Sequence, residues 1–173
     1  MLKKNLSALL CAVIGLFAFI VSAFNYMEEA TAYDFFEEEF KMFKEADINC
    51  AGIIPVFQVL ILVVGGLMLV WGALALLKGI GKLEQLPDDI AGVKIGVISK
   101  IMLVTMAVLN VLQFIFVIIF LADVNDLLDT SFGIGFGVIF AVILSVGAFV
   151  ADYVLGKKFA VVEETAEESA DAE

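Results

Sequence analysis

The chain has 173 residues, of which 62% are hydrophobic, and its mean hydropathy is +1.06. A soluble domain of this size cannot bury so much apolar surface, so the composition excludes an ordinary soluble protein and predicts an integral membrane protein. The net charge of −11, with no His and no Arg, excludes His-based metal sites, His-dependent triads and a basic nucleic-acid-binding surface.

Four apolar runs are long enough to cross a membrane as helices. They are residues 6–24, 53–77, 101–122 and 132–155. A hydrocarbon core about 30 Å thick takes roughly 20 helical residues, and each backbone polar group in lipid must be hydrogen-bonded within its own segment. The composition and these runs therefore predict an all-α integral membrane protein, a four-transmembrane-helix bundle in a membrane domain of residues 1–158.

Small residues recur every seven positions in the first two runs. In the first run they are Ala8, Gly15 and Ser22, and in the second they are Gly65, Gly72 and Gly79. This spacing is typical of left-handed, coiled-coil-like packing between neighbouring helices.

The segment between the first two runs predicts a short amphipathic helix outside the membrane, at about residues 30–46. Its aromatic residues are spaced three, four and three apart, which places them on one helical face. They are Tyr33, Phe36, Phe40 and Phe43. We expect this face to dock, either onto the chain's own bundle or onto a partner. The adjacent glutamates Glu37, Glu38 and Glu39 fan out around such a helix and do not form a chelating site.

The third run carries two amides, Asn110 and Gln113, about one turn apart and near mid-membrane. Hydrocarbon offers them no hydrogen-bond partner, so both are expected to point into the bundle. They predict either hydrogen bonds between helices or a polar path for ions or a small solute.

The fourth run has a stripe of small residues with a spacing of four. Its members are Gly133, Gly137, Ala141 and Ser145. Such a stripe lets another helix approach closely, so it predicts a helix-packing interface, either inside the bundle or between copies of the chain. The acid in this run, Asp152, is expected to form a structural ion pair with Lys100, which lies at a similar depth.

Lysines predict the orientation. Eight of the ten fall before the first run, between the second and third, or after the fourth, and the exceptions are Lys41 and Lys44. By the positive-inside rule both termini are cytoplasmic, in a cell (plasma or inner) membrane. The acidic residues 159–173 have too little apolar surface to fold and predict a disordered cytoplasmic tail.

These features predict a non-catalytic multi-pass membrane protein that acts through helix packing, self-assembly or partner binding. Its expected partners are the lipid bilayer and either a second copy or another membrane protein, with no nucleic acid and no cofactor. The alternative is a cation-preferring membrane pore or small-solute carrier, supported by Asn110, Gln113 and the acidic outer segments. The sequence predicts no catalytic, cofactor-binding or metal-binding residue.

Overall fold

The fold comes from a computed structural model. It describes residues 2–24, 48–83, 93–129 and 131–170, together with residues 26, 31, 33, 34, 43, 45, 87, 89 and 90; for residues 2–4 and 158–170 it describes the backbone alone. Within these ranges the elements are α1 (Leu2–Val21), α2 (Ile54–Gly79), β1 (Asp89–Ile90), β2 (Val93–Lys94), α3 (Ile95–Leu128) and α4 (Phe136–Ala170). The strands β1 and β2 form one short antiparallel pair. The all-α prediction is confirmed.

Three of the helices are long and apolar enough to cross a membrane. They are Ile54–Gly79, Ile95–Leu128 and the Phe136–Lys157 part of α4. The apolar part of α1, Asn5–Val21, is shorter. The described residues therefore contain three candidate spans, and the four-span bundle stays a prediction. The backbone of α4 remains helical to Ala170, so it enters the segment that the composition predicts to be a disordered tail.

The helices alternate in direction along the chain. Ser7, near the start of α1, bonds to Asp152 in the last part of the α4 span, and Trp71 of α2 bonds to Ser99 at the start of α3. One end of the bundle therefore carries the start of α1, the end of α2, the start of α3 and the end of the α4 span. We call it the lysine end, after Lys78, Lys94, Lys100 and Lys157. The opposite end is called the far end.

Helices α1 and α2 meet backbone to backbone. A Cβ atom added to Gly15 would lie 2.5 Å from the carbonyl oxygen of Gly65, and one added to Gly72 would collide with the backbone nitrogen of Ala12. The seven-residue spacing of small residues thus lies along the contact between these two helices. Glycine is required at Gly15 and Gly72 because a neighbouring backbone occupies the space of any side chain.

The buried apolar residues of the described part of the chain form two clusters, one towards each end of the bundle. The far-end cluster includes Tyr26, Ile54, Phe120 and Val124. The lysine-end cluster includes Cys11, Met68, Leu103 and Met106. Along α2 and α3, the residues between these clusters include buried amides, and that layer is the candidate functional site.

Candidate functional site

A chain of polar side chains crosses three helices between the two apolar clusters. The Nε2 atom of Gln113 in α3 donates to Oε1 of Gln58 in α2 at 2.7 Å. Gln58 Nε2 in turn donates to Ser22 Oγ, just after α1, at 2.8 Å. Ser22 Oγ donates to the carbonyl oxygen of Ala18 at 2.6 Å. Gln58 and Gln113 have no exposed surface, so these bonds form where water does not compete.

One acceptor of this chain has no partner among the described residues: Gln113 Oε1 is buried and accepts no hydrogen bond. A buried polar atom without a partner typically costs about 1–3 kcal/mol. Gln113 therefore makes one strong interhelical hydrogen bond through Nε2, but its buried Oε1 atom, with no partner among the described residues, lowers stability.

Asn110, the other amide of the predicted pair, forms its hydrogen bond within its own helix. It is buried, and its Nδ2 atom donates to the carbonyl oxygen of Met106 on its own helix at 3.0 Å. Such a bond links no second helix. Of the two amides, Gln113 is the one that joins neighbouring helices.

A small cavity lies beside Asn110, with lining residues from all four helices. Its volume is about 20 Å³, which is room for about one water molecule. Asn110, Ser145 and Tyr26 supply polar groups to its wall. Towards the lysine end, this polar layer borders the lysine-end cluster, in which Met68, Leu103 and Met106 are each at most 1% exposed.

Three members of the predicted small-residue stripe lie in α4 and face inward, whereas Gly133 precedes the helix, which begins at Phe136. Gly137, Ala141 and Ser145 are buried, and Ser145 Oγ donates to the carbonyl oxygen of Ala141 at 2.8 Å. Gly133 is exposed, and a Cβ atom there would meet nothing within 4 Å. Most of the stripe is therefore occupied by contacts within the chain.

The predicted docking face is described at two of its four residues. The Tyr33 hydroxyl donates to the carbonyl oxygen of Phe19 at 3.0 Å. The ring of Phe43 packs edge-to-face on Phe120, with centroids 5.4 Å apart. Both contacts lie on the chain's own bundle. Phe36, Phe40 and most of the predicted helix 30–46 lie outside the described residues.

Sequence reasoning missed Gln58 and Ser22, although both belong to the polar chain. Gln58 is an isolated amide in the otherwise apolar second run, the same signal that drew attention to Asn110 and Gln113. The seven-residue spacing of Ser22 from Gly15 predicts only a small packing residue at this position. The hydrogen bond that the Ser22 hydroxyl accepts from Gln58 depends on which helix packs against α1, and that is not visible in the sequence.

No group of three or more His, Cys, Asp or Glu side chains close enough to hold a metal ion occurs among the described residues. Cys50 lies in the turn before α2 with a φ angle of 65° and packs against the far-end cluster. Burial and, to a lesser extent, the carboxylate of Asp123 raise the pKa of the Cys50 thiol.

We expect Cys50 to react slowly with alkylating reagents at neutral pH and faster as the pH rises, because the thiolate is the reactive form. Replacing Asp123 by Asn should lower the pKa of the thiol and speed alkylation at a fixed pH. The rate can be followed by mass spectrometry with a membrane-impermeant maleimide. Cys11 has no exposed surface and serves as the internal comparison. Equal rates in the parent and the Asp123→Asn variant would contradict the electrostatic part of this prediction.

The chain matches no protein-family model, and neither a curated protein nor a solved structure is significantly similar to it.

Proposed function

We propose that this chain is a non-catalytic multi-pass membrane protein of the cell (plasma or inner) membrane, which acts through helix packing, self-assembly or partner binding. The observation that carries the proposal is that apolar side chains lie on the outside of the bundle, whereas polar side chains lie inside it. Val63, Leu67 and Val70 of α2 are more than half exposed, whereas Gln58 on the same helix has no exposed surface. Such an outer surface is stable against lipid chains or against the apolar face of another membrane helix.

The proposed topology has four spans and places the lysine end in the cytoplasm. The alternating helices bring Lys78, Lys94, Lys100 and Lys157 to one end of the bundle, which is the distribution that the positive-inside rule associates with the cytoplasmic side. Labelling of Cys50 from outside intact cells by the impermeant maleimide is the expected result. Labelling only after the membrane is opened would contradict this topology.

The proposal includes no catalysis, no cofactor and no nucleic-acid partner. It is supported by the lack of His and Arg in the sequence. It is also supported by the engagement of Gln58, Ser22 and Ser99 in hydrogen bonds inside the bundle.

Site-specific photo-crosslinking in native membranes tests self-assembly and partner binding. A photoreactive residue is placed at Val70 or Ile143, each 60% exposed, and at the fully buried Met68 as the matched control. We expect crosslinks to a second protein chain, a copy of this one or another membrane protein, from at least one exposed position and none from Met68. Adducts to lipid alone at both exposed positions would contradict this part of the proposal.

The alternative function, a cation-preferring pore or small-solute carrier, is supported by Asn110, Ser145 and Tyr26 in the wall of the small, otherwise apolar cavity. Flux measurements on the purified chain in liposomes separate it from the first proposal. A packing or assembly protein should give no cation flux above that of empty liposomes. A cation flux that disappears in the Asn110→Leu variant would favour the alternative.

A further inference from the structure

The small cavity beside Asn110 combines an apolar wall with a few buried polar groups. Its volume of about 20 Å³ exceeds the roughly 10–15 Å³ that one buried water molecule needs. Apolar side chains such as Ile14 of α1, Ile61 of α2 and Leu144 of α4 form most of the wall. Three polar side chains interrupt it, each at most 5% exposed: Tyr26, Asn110 and Ser145. A purely apolar cavity stays dry, whereas a cavity with two to four polar groups can hold water.

The hydroxyl hydrogen of Ser145 is already used within α4. Its Oγ atom donates to the carbonyl oxygen of Ala141 at 2.8 Å, and the carbonyl oxygen of Val142 lies 3.2 Å away. A serine hydroxyl has one hydrogen and two lone pairs. Ser145 can therefore accept a hydrogen bond from the cavity but has no second hydrogen to donate into it.

The Tyr26 hydroxyl is an acceptor towards the cavity for a similar reason. It forms a hydrogen bond with the side chain of Ser22. Ser22 Oγ donates its own hydrogen to the carbonyl oxygen of Ala18, so Tyr26 must be the donor in the bond to Ser22. The phenolic oxygen of Tyr26 still has lone pairs that can accept a further bond.

Asn110 supplies the donor. Its Nδ2 atom carries two hydrogens, and one of them is directed to the carbonyl oxygen of Met106 at 3.0 Å. The cavity wall thus offers two acceptors, on Ser145 and Tyr26, and one donor, on Asn110. A metal cation could not accept the bond from Asn110, and an anion could not donate to the two hydroxyl oxygens. A water molecule can do both, because it has two hydrogens and two lone pairs.

We propose that this cavity is a binding site for one water molecule, which donates to Ser145 Oγ and to the Tyr26 hydroxyl oxygen and accepts from Asn110 Nδ2. Three hydrogen bonds are about the usual number for a water molecule buried in a protein. The site goes beyond the proposed function, because it is the same in an assembly protein and in a carrier.

The bound water joins α4 to the polar chain. Among the described residues, the chain of Gln113, Gln58 and Ser22 links α3 and α2 to the end of α1, whereas Ser145 bonds only within α4. Tyr26 bonds to Ser22 and, through the water, to Ser145. The water therefore completes a hydrogen-bond network that reaches all four helices.

Transfer of NMR magnetisation from water to side-chain amides tests the site on the full chain in detergent micelles. In deuterated protein with isotope-labelled amides, a bound water gives a cross peak at the amide that it contacts. We expect such a cross peak at Asn110 Nδ2. Gln58 is the internal control, because its buried amide donates to the Ser22 hydroxyl and so reports any transfer relayed by a hydroxyl group. No water cross peak at Asn110, or one no stronger than at Gln58, would overturn the proposal.

Two serine variants test the contacts assigned to the water. Ser145→Ala removes one acceptor, and we expect loss of the water cross peak at Asn110, because a water with fewer partners exchanges faster. Ser99→Ala is the matched control and should retain the cross peak. Ser99 is also a buried serine that donates to a carbonyl oxygen of its own helix, but it lies outside the cavity wall. A cross peak that persists in Ser145→Ala, or that disappears equally in Ser99→Ala, would overturn the assignment of Ser145 as a ligand.

Discussion

Replacing Gly72 by Ala is expected to lower the free energy of unfolding by about 1–3 kcal/mol, although the change adds a single methyl group. The added Cβ atom would collide with the backbone nitrogen of Ala12 and lie 2.7 Å from the carbonyl oxygen of Ala8. Both atoms belong to the backbone of α1, so neither can move aside as a flexible side chain could. We therefore expect α1 and α2 to separate locally.

Gly66→Ala is the matched control on the same helix. A Cβ atom at Gly66 would lie 3.7 Å from the ring of Phe19, which is an ordinary contact. Alanine is favoured over glycine inside a helix by up to about 1 kcal/mol, so this variant should be as stable as the parent or more stable. Unfolding by sodium dodecyl sulfate in mixed micelles, followed by Trp71 fluorescence, measures both. Equal midpoints for Gly72→Ala and Gly66→Ala would show that the close contact between α1 and α2 is absent.

Replacing Gln58 by Leu should have the second large effect, a loss of about 1–3 kcal/mol. Gln58 is the middle member of the polar chain, accepting from Gln113 and donating to Ser22. Without it, the Gln113 amide keeps both polar atoms buried and loses the partner of its Nε2 atom. Gln113→Leu should cost less, because it also removes the unpartnered Oε1 atom.

The double variant, Gln58→Leu with Gln113→Leu, distinguishes this explanation from a simple packing defect. We expect it to be more stable than Gln58→Leu alone, since it leaves no amide buried without a partner. Asn110→Leu provides a further control, because the Asn110 amide bonds only to its own helix among the described residues. A double-variant cost equal to the sum of the single costs would mean that Gln58 and Gln113 do not interact.

The outer surface and the interior of this bundle have separate roles in the proposals. Exposed side chains in the apolar parts of α2 and α4, such as Val63, Val70 and Ile143, need no polar partner in contacts with lipid or with another chain. The polar groups, including Gln58, Gln113 and Asp152, lie inside and hold helices of the same chain to one another. Variants of the outer face should therefore change association, whereas variants of the polar layer should change stability.

Only the apolar central part of each helix was predictable from the sequence; the residues at which the helix begins and ends were not. The third run was predicted as residues 101–122, but α3 extends from Ile95 to Leu128. Hydropathy identifies the segment that avoids water, whereas helical hydrogen bonds continue beyond it through polar residues. At its far end, α3 stops where Asp129 adopts a left-handed conformation with a φ angle of 51°.

By itself, the sequence determined the all-α class, the positions of the long apolar helices and the inward direction of Asn110 and Gln113. Each of these follows from local information, because hydrophobicity and helical period are properties of one segment. The partners of the polar side chains were decided only by the tertiary structure. The contact of Gln113 with Gln58, and of Asp152 with Ser7 instead of Lys100, depends on how neighbouring helices are rotated and shifted. That register arises from close backbone approach at residues such as Gly15 and Gly72, a contact between segments distant in sequence.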